Sequence, residues 1–109
     1  VKGSLIINLI KVLQERGIRV SVFDPFYSYK ELKDMGLPAE KNLTATLRNA
    51  DCLVIAVGHD RFKRLNIRKI SVIMKKPAAI IDLSHIISPL RAEKEGFVYR
   101  GLGRGVWTI

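Results

Sequence analysis

The chain has 109 residues, 48% hydrophobic and 27% charged, so it carries enough apolar surface for a folded core and does not read as a disordered tail. Nineteen Lys and Arg against ten Asp and Glu give a formal charge of +9, which favours anionic partners: nucleic acid, phosphorylated small molecules or an acidic protein surface. A single cysteine, Cys52, excludes an internal disulfide framework and a cysteine-rich zinc site, and no apolar run reaches the roughly 18 residues that cross a bilayer.

Residues 4–16 read as a helix capped by Ser4 and ended by Gly17. Leu5, Leu9, Val12 and Leu13 share one stripe; Ile6, Ile7 and Ile10 widen it, so the helix is expected to be covered on two sides. Arg19 to Phe23 reads as a strand stopped by Asp24-Pro25. Short helices follow near 29–35 and 43–49, with a break at Gly36 and Pro38 between them. The continuous apolar run 52–57 predicts a strand buried on both faces. Residues 61–76 carry helical pattern, strongest over 67–75. A second doubly buried strand over 78–81 ends at Asp82, a helix with Pro in its first turn covers 89–95, and a last strand covers 97–100 before the glycine-rich stretch 101–105. Strands separated by helical crossovers predict a parallel sheet with helices on both faces, within one domain. All four strands are expected in that sheet, with 52–57 and 78–82 adjacent and most buried.

Three of the strands end in polar groups: Asp24, then His59 with Asp60, then Asp82 with Ser84 and His85. In a parallel α/β sheet such groups meet at the carboxyl edge, where ligands bind. The same residues also serve as helix caps and turn formers, and both readings stand for Asp24 and Asp82. His59 is read as a structural hydrogen-bonding group, and Cys52 as a small core residue. Residues 60–76 hold seven basic side chains and one acid, either a solvated helix face or a surface for phosphates or nucleic acid. Gly101-Leu102-Gly103-Arg104-Gly105 has too little chain after it for a helix, so it is not a phosphate loop, although Arg104 remains a candidate for an anionic ligand.

Six stretches in order carry a resemblance: Lys2-Gly3-Ser4 with its helix, VSVFDP at 20–25, ADCLVIAVGHDRFKRL at 50–65, MKKP at 74–77, IIDLSHII at 80–87 and GFVYRGLGRG at 96–105. Together they resemble the C-terminal, UDP-binding domain of the nucleotide-sugar 6-dehydrogenases, which act on UDP-glucose, GDP-mannose or UDP-N-acetylmannosamine. The resemblance implies a Rossmann-like, three-layer α/β domain whose first strand, with a Phe-Lys substrate pair, belongs before Lys2. It also implies a place in an NAD-dependent oxidation of a sugar C6 hydroxyl to a carboxylate. The catalytic cysteine of that reaction sits in another domain and is not Cys52, so the chain is expected to hold no catalytic and no metal-binding residue and to be no enzyme by itself.

By the same resemblance Lys2 stands where the family has a cofactor-reaching arginine, keeping its charge without the bidentate fork. Asp82, Ser84 and His85 stand in the ligand turn, where the family's Asp-Gly-Arg arginine is lost. With Arg104 they are the candidate substrate contacts. The implied partners are a UDP-sugar, the other domains of the dehydrogenase and further copies of the chain, in the cytoplasm and away from membranes; NAD belongs to the intact enzyme. Val1 is not Met and is read as an internal start. The alternative is a basic, non-catalytic α/β module that binds nucleic acid through residues 61–76.

Overall fold

The computed structural model describes residues 3–101, with side chains from Leu5 onward; Lys2 and Arg104 lie outside that range. The chain divides into two units at residues 46 and 47.

In the first unit, α1 (Gly3–Glu15) is followed by α2 (Tyr29–Asp34) and α3 (Leu43–Leu47), the last reaching the second unit's first residue. Because α1 begins at Gly3, Ser4 lies inside the helix and does not cap it. Gly17, with φ of 80°, ends the helix as expected. The stripe that packs differs from the expected one. Ile10 is buried with Val22, Leu32, Leu37 and Ala39, and Ile6 and Ile7 pack against that cluster. Leu5, Leu9 and Val12 are exposed instead. Helix α2 is opened by a reciprocal capping box: Ser28 Oγ accepts from the Glu31 amide at 3.1 Å, and Glu31 Oε1 accepts from the Ser28 amide at 2.8 Å. Ser28→Ala is expected to cost about 1 kcal/mol by removing one half of that exchange, readable as a lower urea midpoint.

The expected strand over 19–23 does not form. Only an isolated parallel bridge joins Val22 to Ala39, in which the Val22 amide donates to the Pro38 carbonyl at 2.9 Å. The reason lies in the partner segment. Pro38 has no N–H, so it cannot return a bond to the Val20 carbonyl and extend the ladder toward residue 19.

The second unit contains β1 (Cys52–Ile55), α4 (Asp60–Lys63), α5 (Ile67–Ile73), β2 (Ala79–Asp82), α6 (Pro89–Lys94) and β3 (Val98–Gly101). The three strands form one parallel sheet in the order β1-β2-β3, with Leu53, Ile80 and Tyr99 in register across it. The parallel pairing of the 52–55 and 79–82 segments is as expected. Their burial is not: one face of β1 is exposed, and among the described residues only β2 has a strand on each side. Ile80 is fully buried, whereas Cys52 and Val54 on β1 are exposed, so Cys52 is not a core residue. Partial desolvation, and secondarily the negative charge of Asp51, pushes the Cys52 thiol up from its ordinary value.

The two margins of this sheet differ. The Ala79 amide donates to the Asp51 carbonyl and the Leu83 amide to that of Ile55. Residues 51, 53 and 55 therefore direct their backbone groups at β2, and Cys52 and Val54 direct theirs away from it. On the other side the Val98 amide donates to the Ala78 carbonyl, which turns Tyr99 outward along the backbone. There the Arg100 guanidinium folds back and donates to the Tyr99 carbonyl at 2.8 Å. A charged side chain thus occupies one margin of the sheet and none lies on β1.

Candidate functional site

The carboxyl ends of β1 and β2 lie side by side, since Ile55 is in register with Asp82. The chain leaves β1 through Gly58 and His59 and leaves β2 through Leu83, Ser84 and His85. These two turns touch. A Cβ placed on Gly58 would sit 3.1 Å from the Cβ of Ser84 and 3.4 Å from Ile86 Cγ2. Glycine is needed there for close approach. Gly58→Val is expected to push the 83–87 turn away and to cost about 1–3 kcal/mol, seen as a lower melting temperature with amide shifts centred on Ser84 and Ile86.

Asp82 frames the second turn from below. It is fully buried, and three donors converge on its carboxylate: the Ser84 amide on Oδ1 at 3.1 Å, the Ile87 amide on Oδ2 at 2.8 Å and the Tyr99 hydroxyl on Oδ2 at 3.0 Å. Among the described residues no buried side-chain nitrogen or oxygen is left without a hydrogen bond. Ser84 is half-buried at the contact with Gly58. His85 is exposed and adopts φ of 57°, the left-handed region that a non-glycine residue enters only when its surroundings impose it.

His59 takes the structural role read from the sequence. Its Nδ1 accepts from the Arg61 amide at 3.0 Å and caps α4, and its ring meets Phe62 edge-on at 5.9 Å. Asp24 belongs to the first unit, where its carboxylate accepts from the Phe26 amide at 2.8 Å and its carbonyl from the Tyr27 amide, a local turn. The structure thus brings Ser84 and His85 together above Asp82 and beside Gly58. Lys2 and Arg104, the other two candidates, lie outside the described residues. The sequence places Gly58 in a turn at the carboxyl edge but not against Ser84, and it does not single out Tyr99. The inward position of Tyr99 in the alternating pattern of β3 is the available signal for it.

The seven basic side chains of residues 61–76 are all exposed. Lys63 pairs with Asp60 at 3.4 Å, and the Lys76 ammonium lies 5.5 Å from the centre of the Phe97 ring. The described residues hold no group of three or more His, Cys, Asp or Glu able to share a metal ion. No Gly-x-Gly-x-x-Gly turn follows β1 or β2. No described helix is long and apolar enough to cross a membrane.

Parallel strands joined by helices, with touching turns at their carboxyl ends, define a ligand-binding α/β domain of the Rossmann-like kind. Residues 1–89 match the UDP-glucose/GDP-mannose dehydrogenase family, UDP binding domain, and the chain belongs to that family. It is 32% identical over 102 residues to a UDP-N-acetyl-D-mannosamine dehydrogenase of Methanococcus maripaludis, a match covering 92% of this chain and 22% of the relative. It is 30% identical over 106 residues to a UDP-glucose 6-dehydrogenase of Rickettsia conorii, covering 94% of this chain and 24% of the relative. Its fold matches the crystal structure of an NDP-N-acetyl-D-galactosaminuronic acid dehydrogenase from Methanosarcina mazei Go1 with a TM-score of 0.64 and 29% identity, over 86% of this chain and 19% of that one. The chain therefore spans about a quarter or less of the length of these relatives.

Proposed function

We propose that this chain binds the UDP portion of a nucleotide sugar at the carboxyl edge of its sheet, as part of an NAD-dependent nucleotide-sugar 6-dehydrogenase that works in the cytoplasm. The observation that carries the reading is the contact of the Gly58 turn with the 83–87 turn, at the end of two adjacent parallel strands, in a chain of this family. Ser84 and His85 are the described side chains offered to the ligand, and Lys2 and Arg104 are the proposed cations for the cofactor and the substrate. Asp82, walled in by its three donors, contributes by shaping the turn. When bound in the whole enzyme, NAD would accept the hydride. The role proposed for this chain is to hold the nucleotide, position the sugar and exclude water, without oxidising it alone. Homo-oligomers and the remaining domains of the dehydrogenase are the proposed protein partners.

The test is a titration of UDP into the isotopically labelled chain, followed by amide resonances. Shifts at Gly58, Ser84, His85 and Ile86, with a dissociation constant of about millimolar order, are expected, because the turn lacks an arginine. Absence of shifts at these four residues under saturating UDP would overturn the reading. A second reading follows from the exposure of all seven basic residues of 61–76: a surface for nucleic acid. Binding to random RNA that falls steeply with salt and perturbs α5 but not the 83–87 turn would favour it.

A further inference from the structure

We propose that Tyr99 is a positioning residue for nucleotide binding, acting through Asp82 to hold the 83–87 turn with His85 in its left-handed conformation; the inference rests on the nucleotide-binding reading above. Tyr99 lies on β3, inward-facing and almost fully buried, so its ring has packing to do that a Phe would do equally well. Its hydroxyl reaches across to the neighbouring strand and donates to Asp82 Oδ2. That same oxygen accepts from the Ile87 amide, and the other oxygen accepts from the Ser84 amide. The carboxylate thereby fastens the turn at two points, two and five residues beyond itself. His85 lies between these two points and carries the positive φ.

A five-residue turn pinned at both ends has few backbone paths, and the one taken here requires a residue in the left-handed region. Glycine fits that region best, and histidine, one of the side-chain-bearing residues that do enter it, holds the position at a modest conformational cost. An unfavourable conformation at an exposed imidazole, beside the touching turns of the carboxyl edge, is the pattern expected where placement of a side chain matters more than local ease. The Tyr99 hydroxyl completes the fixing. Without it the Asp82 carboxylate keeps its two amide donors but loses the anchor that sets its orientation from β3. The chemistry served is hydrogen bonding from the imidazole to the anionic diphosphate of a nucleotide.

The experiment uses the full chain with UDP as the probe and compares three variants. Tyr99→Phe keeps the ring and the sheet. It is expected to weaken UDP binding by about three- to tenfold and to shift the amide resonances of Ser84 and Ile87 before ligand is added. His85→Gly removes both the imidazole and the backbone penalty, and is expected to raise the melting temperature while weakening UDP binding. Ile70→Val, a core truncation on α5, is expected to lower the melting temperature and leave UDP affinity unchanged. Unchanged UDP affinity in Tyr99→Phe or in His85→Gly, with the parent chain binding UDP, overturns this proposal and leaves the nucleotide reading standing. Failure of the parent chain to bind UDP overturns both.

Discussion

Replacing Asp82 by Ala is expected to lower the unfolding free energy of the second unit by about 3 kcal/mol or more, measured by urea denaturation followed by circular dichroism. Three donors lose their acceptor at once: the amides of Ser84 and Ile87 and the hydroxyl of Tyr99. Two of these bonds are buried, and each stranded donor costs on the order of 1–3 kcal/mol where water cannot replace the partner. Asp82→Asn is expected to lose less, since one oxygen remains to accept while the amide group now faces a donor. A loss below about 0.5 kcal/mol in both variants, the range of ordinary surface changes, would show that the turn finds other acceptors.

Ile80→Ala is expected to cost about 2–5 kcal/mol, by deleting three methyl or methylene carbons at the centre of the sheet and leaving a cavity that flanking strands cannot fill. Ile80 is fully buried on the middle strand, between Leu53 of β1 and Tyr99 of β3 in register. The same kind of truncation at Val54, which is 39% exposed on β1, is expected to cost less than about 1 kcal/mol. Equal losses at the two sites would contradict the placement of β2 as the central strand.

The three strands of the second unit were legible because each is a short apolar run between helical segments, and their parallel order followed from those crossovers. Residues 19–23 have the same apolar character and did not become a strand. A ladder also needs donors on the facing segment, and Pro38, at a bonding position, has none. The burial of β1 was misread for a related reason. A continuous apolar run predicts two-sided burial only where other elements cover both faces of the strand, and the face of β1 that carries Cys52 and Val54 is exposed. On α1, seven apolar residues left more than one face available, and the sequence could not say that Ile6, Ile7 and Ile10 would be the set that packs. At the candidate site, Asp82, Ser84 and His85 were visible as the polar end of a strand. The link from Tyr99 to Asp82 was not, because it joins residues 17 apart in sequence and exists only once β2 and β3 are in register. The left-handed backbone of His85 was nearly as hidden, since histidine signals it only weakly.

The one-sided pairing of β1 has a kinetic signature. The amides of Leu53 and Ile55 point into the ladder with β2, and those of Cys52 and Val54 point away from it within this unit. Deuterium uptake along 52–55 should therefore alternate residue by residue, fast at Cys52 and Val54 and slow at Leu53 and Ile55, because an amide exchanges at the rate at which its own hydrogen bond opens. Measured by residue-resolved exchange, this strand is expected to show a two-residue rhythm. In β2, flanked on both sides, every amide from Ala79 to Asp82 is expected to be slow.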